Sequence, residues 1–370
     1  MRIIFTGGGT GGHIYPILAI IERLKERNLV TDDQVLFVGT AKGLESRIVP
    51  NAGVPFKTLT IQGFNRKNPL KNFKTIKMFM DATKEAKAII EDFKPDLVFG
   101  TGGYASGAMV YQAAKMKIPT MIHESNSVVG LTNKFLGHFV DRICYSFDDA
   151  RKHFPEKSKL VKTGNPRSQQ VLSDMGEAVD ISEWGLNPNA ETVLVFGGSR
   201  GALAINRVML ESIKELEQKP YQVIWATGTF YYDKIQEKLE NHELAKNIVI
   251  LPYIKNMPGL LPQMTTVVAR SGATSIAEFT ALGVPAILIP SPNVTHNHQY
   301  KNAVDLEDKG AAIVLPEHDL NPNCLLSSID HLLLDQKVAH EMAEASRNLG
   351  ITDSSDQIID QMLELIQSHL

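Results

Sequence analysis

At 370 residues, with 43% hydrophobic and 21% charged side chains, the chain has the composition of an ordinary globular protein and the length of about two domains. A formal net charge of −3 excludes a global pull toward nucleic acid, so any anion must be held by local groups. Cys144 and Cys324 are far apart and make neither CxxC nor Cys/His ligand spacing, which fits a reducing cytosol. The strand pattern begins at Arg2, leaving no room for a secretion signal. The longest apolar stretches, such as Val284 to Ile289, fall far short of the roughly 20 residues that span a bilayer. Any membrane contact is therefore expected to be peripheral.

In chain order, Ile3 to Thr6 reads as a strand running into Gly7-Gly8-Gly9-Thr10-Gly11-Gly12-His13. Ile14, Ile17, Leu18, Ile21 and Leu24 then mark one face of a helix. Val35 to Val38 predicts the next strand, Leu44 to Val49 a short helix and Phe56 to Ile61 a third strand. A long helix is predicted from about Pro69 to Phe93, with proline suited to its first turn. Asp96 to Gly100 leads into Thr101-Gly102-Gly103-Tyr104-Ala105-Ser106-Gly107 and another helix. Pro119 to His123 and Val140 to Ser146 supply further strands. Such alternation predicts right-handed βαβ units and a parallel sheet covered on both faces.

Between about Lys162 and Ser182 the regularity weakens into turn chemistry, Thr163-Gly164-Asn165-Pro166-Arg167. We place the domains at 1–163 and 164–345, with 346–370 a terminal helix expected to pack back on the first domain. The second half restarts with Thr192 to Phe196 and a turn Gly197-Gly198-Ser199-Arg200-Gly201. Its remaining strands are expected at Tyr221 to Ala226, Ile248 to Leu251, Thr265 to Ala269, Val284 to Ile289 and Ala311 to Val314. From roughly Asn321 onward the pattern is helical.

Glycine-rich turns at the carboxyl ends of strands stand where open α/β sheets bind ligands. Gly7, Gly9 and Gly12 satisfy G-x-G-x-x-G, yet the second strand ends in Val38-Gly39-Thr40 where a dinucleotide site wants an acid. No P-loop, Asp-x-Asp or His/Cys cluster occurs, so neither a metal nor a cofactor is expected. His13 begins a helix, where the dipole disfavours imidazolium and a neutral ring can accept a proton. Capping or packing would use the same position.

The stretch Arg270 to Asn302 combines a strand, a Ser-Gly turn, a helix and a second strand. A helix start with bare N–H groups favours a diphosphate. Glu278 can accept from a vicinal diol, and Asn297, His298, Gln299 and Asn302 can bond sugar hydroxyls. Together these describe a nucleotide sugar, although ordinary capping and a solvated loop would draw on the same residue types.

Gly8 to His13, Gly102 to Gly107, His123-Glu124-Ser125-Asn126, Gly130-Leu131-Thr132-Asn133-Lys134, Gly164 to Arg167 and Gly197 to Ala202 resemble, in order and over nearly the whole chain, the MurG family of peptidoglycan N-acetylglucosaminyltransferases. The resemblance implies a GT-B fold: two Rossmann-like doubly wound domains with parallel sheets facing across a cleft. It implies inverting, metal-independent transfer of N-acetylglucosamine from UDP-N-acetylglucosamine to the 4-hydroxyl of the muramoyl sugar of lipid I. By position, Ser199 would meet the diphosphate, Arg167 and the Ile254 backbone the uracil, and Glu278 the ribose. Ala273, Thr274, Gln299 and Asn302 would surround the phosphate and sugar, with Thr10, Gly11, Gly12 and Asn126 completing the site. His13 would be the base, in a catalytic set with Asn126 and Glu278. Gly102, Gly103, Tyr104, Ser106 and Glu124 fall on the acceptor side. Where family members from Gram-negative bacteria carry paired glutamines, this chain has His298-Gln299. The scaffold-level alternatives are a UDP-N-acetylglucosamine 2-epimerase or another glycolipid glycosyltransferase.

The implied partners are UDP-N-acetylglucosamine, undecaprenyl-linked lipid I, anionic lipid at the cytoplasmic face of the membrane and cell-wall synthesis proteins, with no nucleic acid. Arg66, Lys67, Lys71, Lys74 and Lys77 occur without an acid between Asn65 and Met80, beside Leu70, Phe73, Ile76, Phe79 and Met80. On a helix this suits a peripheral membrane contact, or else a core stripe with a solvated basic face.

Overall fold

The computed structural model describes residues 1–63, 72–198 and 200–369, which form two units: 1–170 with 353–370, and 171–352. In the first, strands Ile3–Gly7 (β1), Val35–Thr40 (β2), Phe56–Leu59 (β3), Leu97–Gly102 (β4), Thr120–Glu124 (β5), Arg142–Tyr145 (β6) and Leu160–Lys162 (β7) form one sheet. Its order is β3-β2-β1-β4-β5-β6-β7, and every pairing is parallel, with Ile3 opposite both Val35 and Leu97. The helices are Gly11–Glu26 (α1), Glu45–Asn51 (α2), Asn72–Phe93 (α3), Tyr104–Lys115 (α4), Leu131–Leu136 (α5) and Arg167–Ser173 (α6), whose last residues belong to the second unit.

Successive strand residues point to opposite faces, so one sheet feeds two cores. Ile4, Leu36, Val38, Val98 and Ile122 face Ala82, Ala86 and Ile90 of α3 and Ala105, Ala108 and Met109 of α4. Ile3, Phe5, Phe37 and Phe99 face Ile14, Ile17 and Ile21 of α1. Completing that second layer, Ile358, Ile359, Met362 and Leu365 come from the last helix, Ser354–Gln367. Charge reinforces the docking. Asp356 accepts from Arg23 of α1 (2.9 Å) and from Arg27 just past its end (3.1 Å), while Gln169 also bonds it. The Arg23 hydrogen bond, the first of these causes, holds the Asp356 carboxyl below its usual range.

The second unit repeats the plan with Thr192–Phe196 (β8), Gln222–Ala226 (β9), Ile248–Leu251 (β10), Thr266–Ala269 (β11), Ala286–Leu288 (β12) and Ala312–Val314 (β13). These lie in the order β10-β9-β8-β11-β12-β13, again all parallel. Its helices are Leu203–Glu211 (α7), Ile213–Leu216 (α8), Tyr232–Lys238 (α9), Met257–Leu260 (α10), Ala273–Leu282 (α11), His298–Glu307 (α12), Pro322–Leu333 (α13) and Gln336–Leu349 (α14). In each sheet the strand order reverses beside the first strand, between β1 and β4 and between β8 and β11. Such switch points open a crevice outside the strand ends.

Several elements differ from the sequence expectation, among them the helix Arg167–Ser173 in the stretch read as turn chemistry. Leu160–Lys162 is a short edge strand, too brief for its alternation to register. His298 begins a helix where a polar loop was expected, because a turn with His296 and Asn297 both in the left-handed region (φ 53° each) re-aims the chain. The expected start of the long helix near Pro69 lies outside the described residues.

Candidate functional site

The switch point of the first sheet gathers both glycine loops of that unit. β1 ends at Gly7, the loop turns through Gly8 to Thr10, and α1 begins at Gly11 with His13 in its first turn. The His13 N–H donates to the Thr10 carbonyl (3.1 Å), and the Thr101 hydroxyl at the end of β4 donates to the His13 carbonyl (2.7 Å). Gly102 has φ +116°, a region that only glycine occupies without strain. A β-carbon there would lie 2.9 Å from Cε1 of the His13 ring, so the imidazole lies directly on the Gly102 backbone. Thr10 is exposed and His13 half-buried. One amide of this loop is not available to a ligand: the Gly9 N–H donates to Glu45 Oε2 (3.0 Å).

From His123 at the end of β5 the chain runs through a largely buried loop to Asn133 in α5. Glu124 is almost fully buried and accepts from the Asn126 N–H (3.1 Å), the Gly130 N–H (3.0 Å) and Asn133 Nδ2 (3.0 Å). Burial pushes its carboxyl up against the pull of these bonds. The loop carrying Asn126 is therefore folded around a carboxylate. His123 is sealed with Nε2 2.8 Å from the Gly164 carbonyl; burial, against the pull of that bond, lowers its pKa to about 4. Among the acceptor-side candidates, Tyr104 is half exposed and packs over Gly63, whereas Ser106 is fully buried. Arg167 belongs to this unit, its N–H donating to Asn165 Oδ1 (3.1 Å).

In the second unit the other switch point brings the Gly197 to Gly201 turn beside the start of α11. Gly201 has φ +76°, and a β-carbon there would lie 2.0 Å from the Thr227 carbonyl, so the turn needs a bare backbone. Ser199 lies outside the described residues. α11 starts at Ala273 after Gly272, without a side-chain cap, and first-turn N–H groups at the positive end of a helix dipole favour an anion. Thr274 and Glu278 are half-buried on this helix and Ile254 is buried.

The polar residues after β12 are tied into the frame. The Ser291 N–H donates to Gln299 Oε1 (2.9 Å), the Ser271 hydroxyl to the Gln299 carbonyl (2.8 Å), and Asn302 Nδ2 to the Ser271 carbonyl (3.4 Å). His298 Nδ1 meets the Thr295 carbonyl (2.9 Å). Behind them, Arg270 donates to the Ile289 carbonyl (3.1 Å) and pairs with Glu317. Thr101, His123, Asn133, Ser271 and Arg270 were not singled out as site residues in the sequence. His123 and Asn133 stood inside quoted motifs, but their supporting role depends on partners distant in the chain.

The described helices include none long and apolar enough to cross a membrane. A cluster of rings lies on the first unit: Tyr111 is 5.0 Å from Phe139 and 5.5 Å from Phe135, Phe79 is 6.2 Å from Phe135, and the Lys115 ammonium is 5.4 Å from the Tyr111 ring. Ile76, Met80, Leu131, Phe135 and Phe139 remain exposed.

Residues 3–145 match the glycosyltransferase family 28 N-terminal domain and residues 192–361 its C-terminal domain. A UDP-N-acetylglucosamine--N-acetylmuramyl-(pentapeptide) pyrophosphoryl-undecaprenol N-acetylglucosamine transferase of Lactobacillus helveticus is 73% identical, covering 99% of this chain and 100% of its own. The protein of the same name from Latilactobacillus sakei is 49% identical over 98% and 100% of the two chains. The crystal structure of Acinetobacter baumannii MurG superposes with a TM-score of 0.78 at 26% identity, covering 98% and 99%. A UDP-GlcNAc 2-epimerase from Neisseria meningitidis, with a TM-score of 0.68 at 16% identity over 98% and 100%, shares the fold alone. With both halves matched and the two Rossmann-like sheets in one strand order, this chain belongs to glycosyltransferase family 28.

Proposed function

We propose that this chain transfers N-acetylglucosamine from UDP-N-acetylglucosamine to the 4-hydroxyl of the muramoyl sugar of lipid I, producing lipid II for peptidoglycan synthesis. The observation that carries the reading is the placement of His13, at the start of α1 with its ring on Gly102 at the β1/β4 switch point. The acceptor oxygen forms a bond to the anomeric carbon as the bond from that carbon to the diphosphate breaks on the opposite side. His13 takes the hydroxyl proton, and UDP departs with the electron pair. One displacement converts the α donor to a β linkage.

The second unit supplies most of the donor residues. The start of α11 at Ala273 and Thr274, with the Ser199 turn, receives the diphosphate charge as it grows. Glu278 accepts from the ribose hydroxyls, the Ile254 backbone and Arg167 read the uracil, and Gln299 and Asn302 order the sugar pocket. In the first unit, Thr10, Gly11, Gly12, Asn126, Gly102, Gly103 and Tyr104 address the reacting sugars. Buried Glu124 and Ser106 act by holding that surface in shape.

The acceptor carries a lipid, and the exposed Ile76, Met80, Leu131, Phe135 and Phe139 suit an interfacial contact at the cytoplasmic face of the membrane. Lys77 is described on α3; Arg66, Lys67, Leu70 and Lys71, and the side chains of Phe73 and Lys74, lie outside the described residues.

The deciding experiment incubates purified protein with labelled UDP-N-acetylglucosamine and a short-chain lipid I analogue. A labelled disaccharide-lipid is expected, with UDP release dependent on acceptor. UDP release without acceptor, or labelled N-acetylmannosamine derivatives, would point to the epimerase instead. His13→Ala should lose about 100-fold or more in turnover while binding UDP-N-acetylglucosamine as tightly as the parent; full turnover would remove the base assignment.

A further inference from the structure

The first glycine loop is held from behind by a group outside all the motifs above. Glu45 opens α2 and is fully buried, although a lone carboxylate is among the costliest groups to place in a protein interior. Its Oε2 accepts the Gly9 N–H (3.0 Å); its Oε1 accepts the Thr40 N–H (3.0 Å) and the Thr40 hydroxyl (2.6 Å). Burial opposes ionisation, but these bonds together outweigh it, and the carboxyl titrates below its usual range. The slot is built for it. A β-carbon on Gly8 would stand 2.4 Å from Oε1, one on Gly39 2.6 Å from Cγ, and one on Gly43 2.2 Å from both oxygens.

An ordinary helix cap would spend these oxygens on the first turn of α2. Here the Ser46 N–H donates to the Gly43 carbonyl and those of Arg47 and Ile48 to the Leu44 carbonyl, so the carboxylate reaches across to β1's loop instead. On its other side that loop is stopped by β4's loop, since a β-carbon on Gly103 would lie 2.7 Å from the Gly8 carbonyl oxygen. Gly8 and Gly9 are thus gripped between Glu45 and Gly103. Thr10 follows directly, and its carbonyl receives the His13 N–H.

We propose that Glu45 is a positioning residue for the transfer step: its carboxylate clasps the Gly8–Gly9 turn and thereby sets Thr10 and His13 where the acceptor hydroxyl is deprotonated. This rests on the transferase reading above. The clasp also consumes the Gly9 amide and puts a fixed negative charge behind the loop.

The test uses the full chain with Glu45→Gln, Thr40→Val and Thr40→Ser. Glutamine keeps the volume but turns an NH2 toward donors, because three N–H and O–H groups converge on two oxygens. Glu45→Gln is expected to lower kcat about 10- to 100-fold with KM for UDP-N-acetylglucosamine within about twofold of the parent, since the residues assigned to the diphosphate and the ribose stand in the other unit. Thr40→Val should show a smaller kcat loss and Thr40→Ser should restore it. Amide exchange at Gly9 should accelerate in Glu45→Gln while the β1 amides of Ile4 and Phe5 stay protected. Parent-like kcat per folded molecule in Glu45→Gln would overturn the proposal. So would faster exchange spread evenly over the first unit, which is the signature of general destabilisation. Absence of transfer by the parent protein would overturn the transferase reading and with it the catalytic part of this proposal, whereas unchanged Gly9 exchange in Glu45→Gln would overturn the clasp itself.

Discussion

Adding one methyl group to Gly102 tests the placement of the base at its tightest point. In Gly102→Ala the new carbon would stand 2.9 Å from Cε1, 3.2 Å from Nδ1 and 3.4 Å from Nε2 of His13. Carbon atoms settle at about 3.5 Å or more, so the ring must retreat by roughly half an ångström. The φ of +116° adds backbone strain of about 1–3 kcal/mol for any residue with a β-carbon. Reacting groups must approach to about 3–3.5 Å, and a displacement of about 1 Å can cost on the order of 100-fold. A retreat of half that size should lower kcat about 10-fold or more, near 1.4 kcal/mol in the barrier. The control is Gly53→Ala, at φ +72° with nothing within 4 Å of the added carbon. It carries backbone strain of about 1–2 kcal/mol without touching the histidine. Steady-state transfer to a lipid I analogue, read beside thermal unfolding, should show Gly53→Ala losing stability but not turnover, and Gly102→Ala losing both. Turnover of Gly102→Ala within twofold of the parent would refute the idea that the ring's seat on this backbone matters.

Stability should also respond to pH through His123. Its folded pKa of about 4 lies below an unfolded value of about 6.5, so the folded state resists protonation. The contribution is fully present above about pH 6.5 and declines by about 1.4 kcal/mol per unit as pH falls toward 4. His123→Gln should flatten that slope in thermal melts between pH 7 and 4.5; an unchanged slope would assign the acid sensitivity elsewhere. Glu124→Ala should cost the first unit about 3 kcal/mol, because interior donors on Asn126, Gly130 and Asn133 lose their acceptor. Denaturant unfolding with exchange at Gly130 measures this, and a loss under about 1 kcal/mol would mean water replaces the carboxylate. Joint replacement of Lys71, Lys74 and Lys77 by Glu should weaken sedimentation with anionic vesicles on the order of 100-fold, taking about 1 kcal/mol per basic residue; Phe135→Ser should weaken it on neutral and anionic vesicles alike. Unchanged sedimentation in both variants would remove the membrane contact from this face.

The alternation of short apolar runs with glycine turns and amphipathic helices determined the class of fold and most of its strands, because period-2 and period-3.6 burial is written residue by residue. Val193, Leu194 and Val195 are fully buried in β8 and flanked by glycine on the carboxyl side, and such a run has few other readings. His13 was legible for the same reason: a glycine loop and a helix start are contiguous in the chain. Strand order was not, since which strand lies beside β1 is settled by pairing across sequence separations of about ninety residues (Ile3 with Leu97). That pairing alone creates the switch point and sets His13 on Gly102. Gln299 and Asn302 could be named as polar but not oriented, and the Ser291 and Ser271 backbone decides where their amides point. Glu45 shows the limit most plainly. As a letter it is an acid at a helix start, indistinguishable from a solvated one; only the folded chain closes Gly8, Gly39 and Gly43 around it, because a buried charge is defined by what surrounds it in space.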